Sequence, residues 1–91
     1  MKTPYNIIIQ PIMTEAAFEQ IERENKLTFI VNKSANKHQI KWAINKLFSV
    51  DKKGIIKINT LINNKGKKKA IIKFDFNIVN AADIATKLGI F

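Results

Sequence analysis

Four lysines lie close together around Gly66, and this cluster is the part of the chain best suited to bind a charged ligand. The neighbouring Asn63 and Asn64, together with Gly66, are typical of a tight turn between two strands. The pattern predicts a hairpin whose tip carries four ammonium groups, from Lys65, Lys67, Lys68 and Lys69. Such a tip fits between phosphates and binds them without reading base sequence. The alternative is a solvated turn in which lysine protects a sheet edge.

Positive charge is confined to the middle of the chain. Residues 1–25 carry more glutamate than basic residues, residues 26–73 hold thirteen lysines against Asp51 alone, and residues 74–91 are slightly acidic. A formal net charge of +9 in 91 residues indicates a polyanionic partner, and its uneven distribution predicts two faces with two kinds of partner. The predicted RNA-binding residues are Lys33, Lys37, Lys41, Trp42, Lys46, Lys57, Lys65, Lys67, Lys68, Lys69 and Lys73.

The lone tryptophan falls on the polar side of a predicted helix. Trp42 lies opposite the apolar stripe of that helix, because helix positions advance by about 100° per residue. An exposed ring there would stack on an unpaired base or a ribose, with Lys41 and Lys46 on nearby phosphates. The alternative, of equal weight, is that Trp42 packs under a neighbouring loop.

No pattern of residues predicts catalysis or metal binding. The chain has no cysteine and one histidine, which excludes thiolate and histidine metal clusters. The hydroxyl and imidazole side chains show no spacing of a nucleophile with its base: Thr14, Ser34, His38 and Ser49. The stretch after Gly66 lacks the spacer and hydroxyl of a P-loop. We therefore predict that the protein is not an enzyme and uses no metal or cofactor.

Apolar spacing predicts the element order helix, strand, helix, strand, strand, helix. The helices are expected over residues 14–24, 36–48 and 80–88, and the strands over 27–31, 56–62 and 70–74, with an optional edge strand at 6–10. The predicted caps are Thr14, then Asn36 or Ser34, and Gly89 should end the last helix. The fold class is α+β, a three- to four-stranded antiparallel sheet with helices packed on one face. One RNA-binding domain should span residues 1–91.

The first residues carry neither a secretory nor a transit pattern, which favours the cytosol. No apolar run approaches the length that crosses a bilayer, so no membrane insertion is expected.

Several motifs resemble the L23 family of large-subunit ribosomal proteins. Residues 5–15, YNIIIQPIMTE, are similar to its opening pattern of proline, two apolar residues, threonine and glutamate. Further similar stretches follow in family order over nearly the whole chain: INTLI at 58–62, KKA at 68–70 and ADIATKLGI at 82–90. The short connection at 63–69 resembles the archaeal and eukaryotic cytosolic type. A start near Tyr5 implies an archaeon or a eukaryote with reduced ribosomes, and residues 51–54 resemble an insertion.

The resemblance implies a structural constituent of the large ribosomal subunit on cytosolic ribosomes. Its partners would be ribosomal RNA next to the polypeptide exit tunnel, neighbouring ribosomal proteins, and nascent-chain factors such as signal recognition particle or nascent-chain-associated complex. Glu15 matches the glutamate that family members present to such a factor, and we assign Glu15 and Glu19 to partner docking. The alternatives are a solvated helix face and, for Glu15, a helix-start residue that the dipole favours.

The competing function class is a free-standing nucleic-acid regulator. That class requires a recognition helix or base-stacking aromatic motifs. The sequence carries neither signature, so the ribosomal interpretation is preferred.

Overall fold

The computed structural model describes residues 3–88, apart from the side chain of Tyr5. Four strands form one antiparallel sheet in the order β1-β2-β4-β3, which confirms the α+β class and the optional fourth strand. A helical turn at the start was not predicted. The elements are α1 (Pro4–Ile7), β1 (Ile8–Pro11), α2 (Glu15–Glu24), β2 (Lys26–Val31), α3 (Lys37–Phe48), a 3-10 turn (Lys52–Gly54), β3 (Ile55–Ile62), β4 (Lys68–Phe74) and α4 (Ala81–Lys87).

Side-chain caps begin the three longer helices where the sequence predicts them. The Thr14 hydroxyl accepts from the Ala17 N–H at the start of α2. At α3, Asn36 and Gln39 form a reciprocal capping box, so Asn36 rather than Ser34 is the cap. Asn80 caps α4, while the predicted stop at Gly89 lies outside the described residues. None of the described helices is long and apolar enough to cross a membrane.

One face of the sheet builds the core. Alternate side chains of β2 and β4 point to this core face and are buried: Leu27, Phe29, Val31, Ala70, Ile72 and Phe74. The stripe predicted on α3, together with buried residues of α2 and α4, packs into the same cluster. Each fully buried aliphatic or aromatic side chain stabilises the fold by about 1.5 to 3 kcal/mol. Burial of one sheet face leaves the opposite face for a partner.

Trp42 departs from the prediction of an exposed ring. It is half-buried and packs against the core cluster. The α1 turn, which the sequence did not predict, packs against α3 and adds cover to that helix. The observed burial therefore favours the packing alternative for Trp42.

Asn25 connects three elements from a fully buried position. Its backbone adopts the left-handed region with φ 56°, which ends α2. Its side-chain amide donates to the carbonyls of Phe74 at 3.0 Å and Val79 at 2.9 Å. Its side-chain oxygen accepts from the Ala81 N–H at 2.7 Å. The end of α2, the end of β4 and the start of α4 are thus held by one side chain.

The insertion at residues 51–54 folds as the 3-10 turn before β3. The Asp51 carboxylate accepts from the Lys53 N–H, and the Gly54 carbonyl accepts from the Asp75 N–H. Gly54 is buried, and a β-carbon there would overlap the Val79 side chain. The insertion is therefore packed against the loop between β4 and α4, and only its lysines and Asp51 face solvent.

Replacing Asn25 by glycine separates its hydrogen bonds from its backbone conformation. Glycine adopts positive φ without strain, so the loss measures the three side-chain bonds. Because their partners are left unsatisfied, we expect the free energy of unfolding to fall by about 2 to 4 kcal/mol. Urea denaturation of the purified protein measures this change.

Ser49 provides the matched control, because it also has positive φ, at 54°, but its side chain is exposed. Ser49→Gly should leave stability unchanged or raise it by up to about 1 kcal/mol. Equal effects of the two glycine substitutions would contradict the role assigned to the Asn25 side chain.

Candidate nucleic-acid interface

The turn between β3 and β4 is shaped by one asparagine. The Asn63 side-chain oxygen accepts from the backbone N–H groups of Lys65 at 3.0 Å and Lys67 at 2.9 Å. Gly66 takes the positive φ of 77° that the turn requires. Because the backbone is held in this way, the exposed side chains of Lys65 and Lys67 project from a defined turn.

A third lysine from a distant part of the chain joins them. The Lys33 side chain lies over Gly66, where a β-carbon would be 3.3 Å from the Lys33 Nζ. We call Lys33, Lys65 and Lys67 the tip cluster. The antiparallel pairing of β2 with β4 positions Lys33 here, because Lys33 follows β2 at the end where β4 begins.

Lys68 and Lys69 lie elsewhere, so the prediction of four lysines at the tip is wrong for these two. Both belong to β4, because its pairing with β3 continues to Lys68. Lys68 is half-buried, and its ammonium donates to the carbonyl of Ala35 at 2.6 Å. Lys68 thus joins the hairpin to the loop before α3, and its ammonium has a protein partner.

The sheet face opposite the core carries lysine and polar side chains. Every residue that the register assigns to it is at least partly exposed, so we call it the open face. It includes three predicted RNA-binding lysines, Lys57, Lys69 and Lys73. The remaining members are Gln10, Lys26, Thr28, Ile30, Asn59, Leu61 and Ile71.

The predicted residues of α3 occupy another side of the molecule. Lys37 and Lys46 are exposed and Lys41 is half-buried, on the helix that covers the core face of the sheet. They are therefore separated from the open face by the core. The eleven predicted RNA-binding residues form three groups on α3, the tip cluster and the open face, with Lys68 between the first two.

Two lysines were overlooked as candidates in the sequence. Lys52 and Lys53 of the insertion line a shallow cleft with Lys46, at the end of α3. Their adjacency in the sequence was the available signal, but only the fold shows that they lie beside Lys46. Lys26 and Asn59 were also missed, because strand pairing alone places them on the open face.

The glutamates of α2 form a separate exposed surface. Glu15 and Glu19, the predicted docking residues, are both exposed, as are Glu22 and Glu24. Glu15 lies in the first turn after the Thr14 cap, where a carboxylate also interacts favourably with the helix dipole. Both interpretations of Glu15 are compatible with this position.

No group of three metal-binding side chains comes together within residues 3–88. The arrangement, basic surfaces on an open sheet and on a helix, is that of a binding protein. The chain belongs to the ribosomal protein family described as Ribosomal protein L23, whose sequence profile matches residues 6–84. Membership confirms the predicted family, and with it a structural component of the large ribosomal subunit that is not an enzyme.

A curated relative supports the same family. The chain is 46% identical over 85 residues to the Large ribosomal subunit protein uL23B of Schizosaccharomyces pombe. The match covers 93% of this chain and 57% of the relative, so the chain spans little more than half of that protein's length. A eukaryotic relative agrees with the archaeal and eukaryotic type implied by the motifs.

The bond between Lys68 and Ala35 predicts a structural effect for this lysine. Lys68→Gln should lower the free energy of unfolding by about 1 to 2 kcal/mol, because it removes a charge-assisted bond from a half-buried position. Lys67→Gln, at an exposed neighbour, should stay within about 0.5 kcal/mol of the parent. Thermal unfolding compares the two, and equal stabilities would remove the bond from the account of the fold.

Proposed function

We propose that this protein binds large-subunit ribosomal RNA beside the polypeptide exit tunnel, and that α2 offers a docking surface for nascent-chain factors. The observation that carries the proposal is the separation of charge over the fold. Exposed lysines occupy the tip cluster, the open face and the outer side of α3, while exposed glutamates occupy α2. Within residues 3–88 the one ion pair joins Lys26 to Glu24 at 3.6 Å. The other lysine ammonium groups of this part of the chain are thus not neutralised by protein carboxylates.

The RNA part of the proposal follows from the cost of such a surface. Clustered cations repel one another and destabilise a compact domain. A polyanion removes this repulsion, and its condensed counterions are released on binding. The name of the fission yeast relative, a large ribosomal subunit protein, supports ribosomal RNA as that polyanion.

The docking part of the proposal assigns α2 to protein partners. A helix with four exposed glutamates is repelled by phosphates, so it faces away from RNA. The partners would be neighbouring ribosomal proteins and factors such as signal recognition particle or nascent-chain-associated complex, met on cytosolic ribosomes. Glu15 and Glu19 are the residues assigned to that contact.

The tip cluster is tested by the double substitution Lys65→Gln with Lys67→Gln. For a fragment of large-subunit RNA, the slope of log K against log salt should fall in magnitude by roughly 0.7 to 0.9 for each phosphate that the variant no longer neutralises. Stability should not change, because both side chains are exposed. Filter binding over a range of salt concentrations measures the slope.

Lys52→Gln with Lys53→Gln is the matched control, since it removes the same charge from exposed positions outside the predicted site. An unchanged slope in the tip variant, or an equal change in the control, would contradict a specific role for the tip. Co-sedimentation with large subunits after a salt wash tests the ribosomal assignment itself.

The docking surface is tested by Glu15→Lys on intact ribosomes. Nascent-chain factors should bind with slower association and altered salt dependence, because exposed interfacial charges govern encounter. Incorporation into the large subunit should stay normal. Glu22→Lys is the control, on the same helix but outside the assigned pair. Unchanged factor binding, or failure of ribosome incorporation, would leave Glu15 as a helix-start residue.

A further inference from the structure

Three lysines form one row across the open face. The register pairs Lys26 of β2 with Lys73 of β4, and Lys73 with Lys57 of β3. Neighbouring strands are about 4.8 Å apart, so the side chains of each pair stand side by side. We call Lys26, Lys73 and Lys57 the lysine row.

The row costs stability in the free protein, because like charges directly opposite one another on a sheet are destabilising. One end is relieved by the ion pair between Lys26 and Glu24. Lys73 and Lys57 are exposed and have no acidic partner among the described residues. The residues of the row therefore contribute little to the fold and leave at least two cations available to an external anion.

The middle of the open face limits what that anion is. The next row consists of Thr28, Ile71 and Asn59. Thr28 already reaches Gln20 of α2, whereas Asn59 is exposed. The open face carries no aromatic ring within the described strands, so it lacks a platform on which a splayed base could stack. Phosphates and ribose hydroxyls are the groups that lysine and asparagine can hold there.

We propose that the open face binds the sugar–phosphate backbone of one RNA segment and does not read its bases. Lys73 and Lys57 neutralise phosphates, Asn59 bonds to a ribose hydroxyl, and the Glu24 pair marks the border of the interface. The inference deepens the proposed function and rests on it. It adds a surface, a contact mode and two polar groups, Lys26 and Asn59, that sequence reasoning did not include.

A nucleic-acid strand suits the lysine row better than an acidic protein surface does. Adjacent phosphates are held close together by covalent bonds, so their mutual repulsion is already present before binding. Carboxylates at the same density on a protein would repel one another and destabilise that protein. The spacing of the row therefore favours a polyanion with a covalent backbone.

The test combines Lys57→Gln with Lys73→Gln and measures stability and RNA binding on the same protein. Relief of repulsion should raise the melting temperature of the free protein by roughly 1 to 5 °C. Affinity for a large-subunit RNA fragment should fall on the order of tenfold or more at about 0.1 M salt. The salt slope should fall by roughly 1.4 to 1.8 if both lysines contact phosphate. Lys57→Arg with Lys73→Arg should retain binding, and the loss for poly(A), poly(U) and poly(C) should be the same.

The control variants keep this inference separate from the proposed function. If the row variant binds RNA like the parent while the tip variant is weakened, the open-face proposal fails and the proposed function stands. If the parent protein binds no large-subunit RNA, both fail. Three further results also overturn the open-face proposal: an equal loss in the Lys52 and Lys53 control, unequal losses among the homopolymers, or a row variant that keeps RNA binding yet leaves the ribosome. The last result would assign the row to an acidic protein.

Discussion

The fold depends on a buried asparagine that satisfies backbone groups where three elements meet. Asn25 ends α2 in a conformation that few side chains tolerate, and its amide then bonds to the end of β4 and to the loop and helix that follow. Buried backbone groups at such a junction would otherwise be unpaired, at a cost of about 1 to 3 kcal/mol each. With the junction fixed, α2 and α4 lie together against the core face, and the opposite face stays open.

This division between a covered face and an open face separates the electrostatics as well. The helices protect the apolar side of the sheet, so lysines on the strands have only the other side available to them. Pairing of β2, β4 and β3 then aligns those lysines across strands. The repulsion that results is small beside the burial of the core, because exposed charges interact through water. A stable core thus tolerates a surface whose charges suit an anionic partner.

The hairpin illustrates how far local patterns specify a site. The residues Asn63 and Gly66 predict the turn correctly, and the structure shows both in the roles expected of turn residues. The number of lysines at the tip was mispredicted, because strand pairing continues further into the lysine run than the local sequence reveals. Lys33 joins the tip only through pairing of β2 with β4, which brings together segments that are far apart in the chain. Trp42 was misplaced for a related reason, since a helical wheel describes one helix and omits what packs on it.

The sequence by itself determined the element order, the caps at Thr14 and Asn36, the core stripe of α3 and the confinement of positive charge to the middle segment. Each of these depends on the periodicity of side chains along a helix or strand, or on bonds between residues close in the chain. Tertiary structure alone decided the strand order, the lysine row, the partner of Lys68 and the burial of Trp42. Those features depend on which strands pair and in which register, and pairing is set by packing over the whole core.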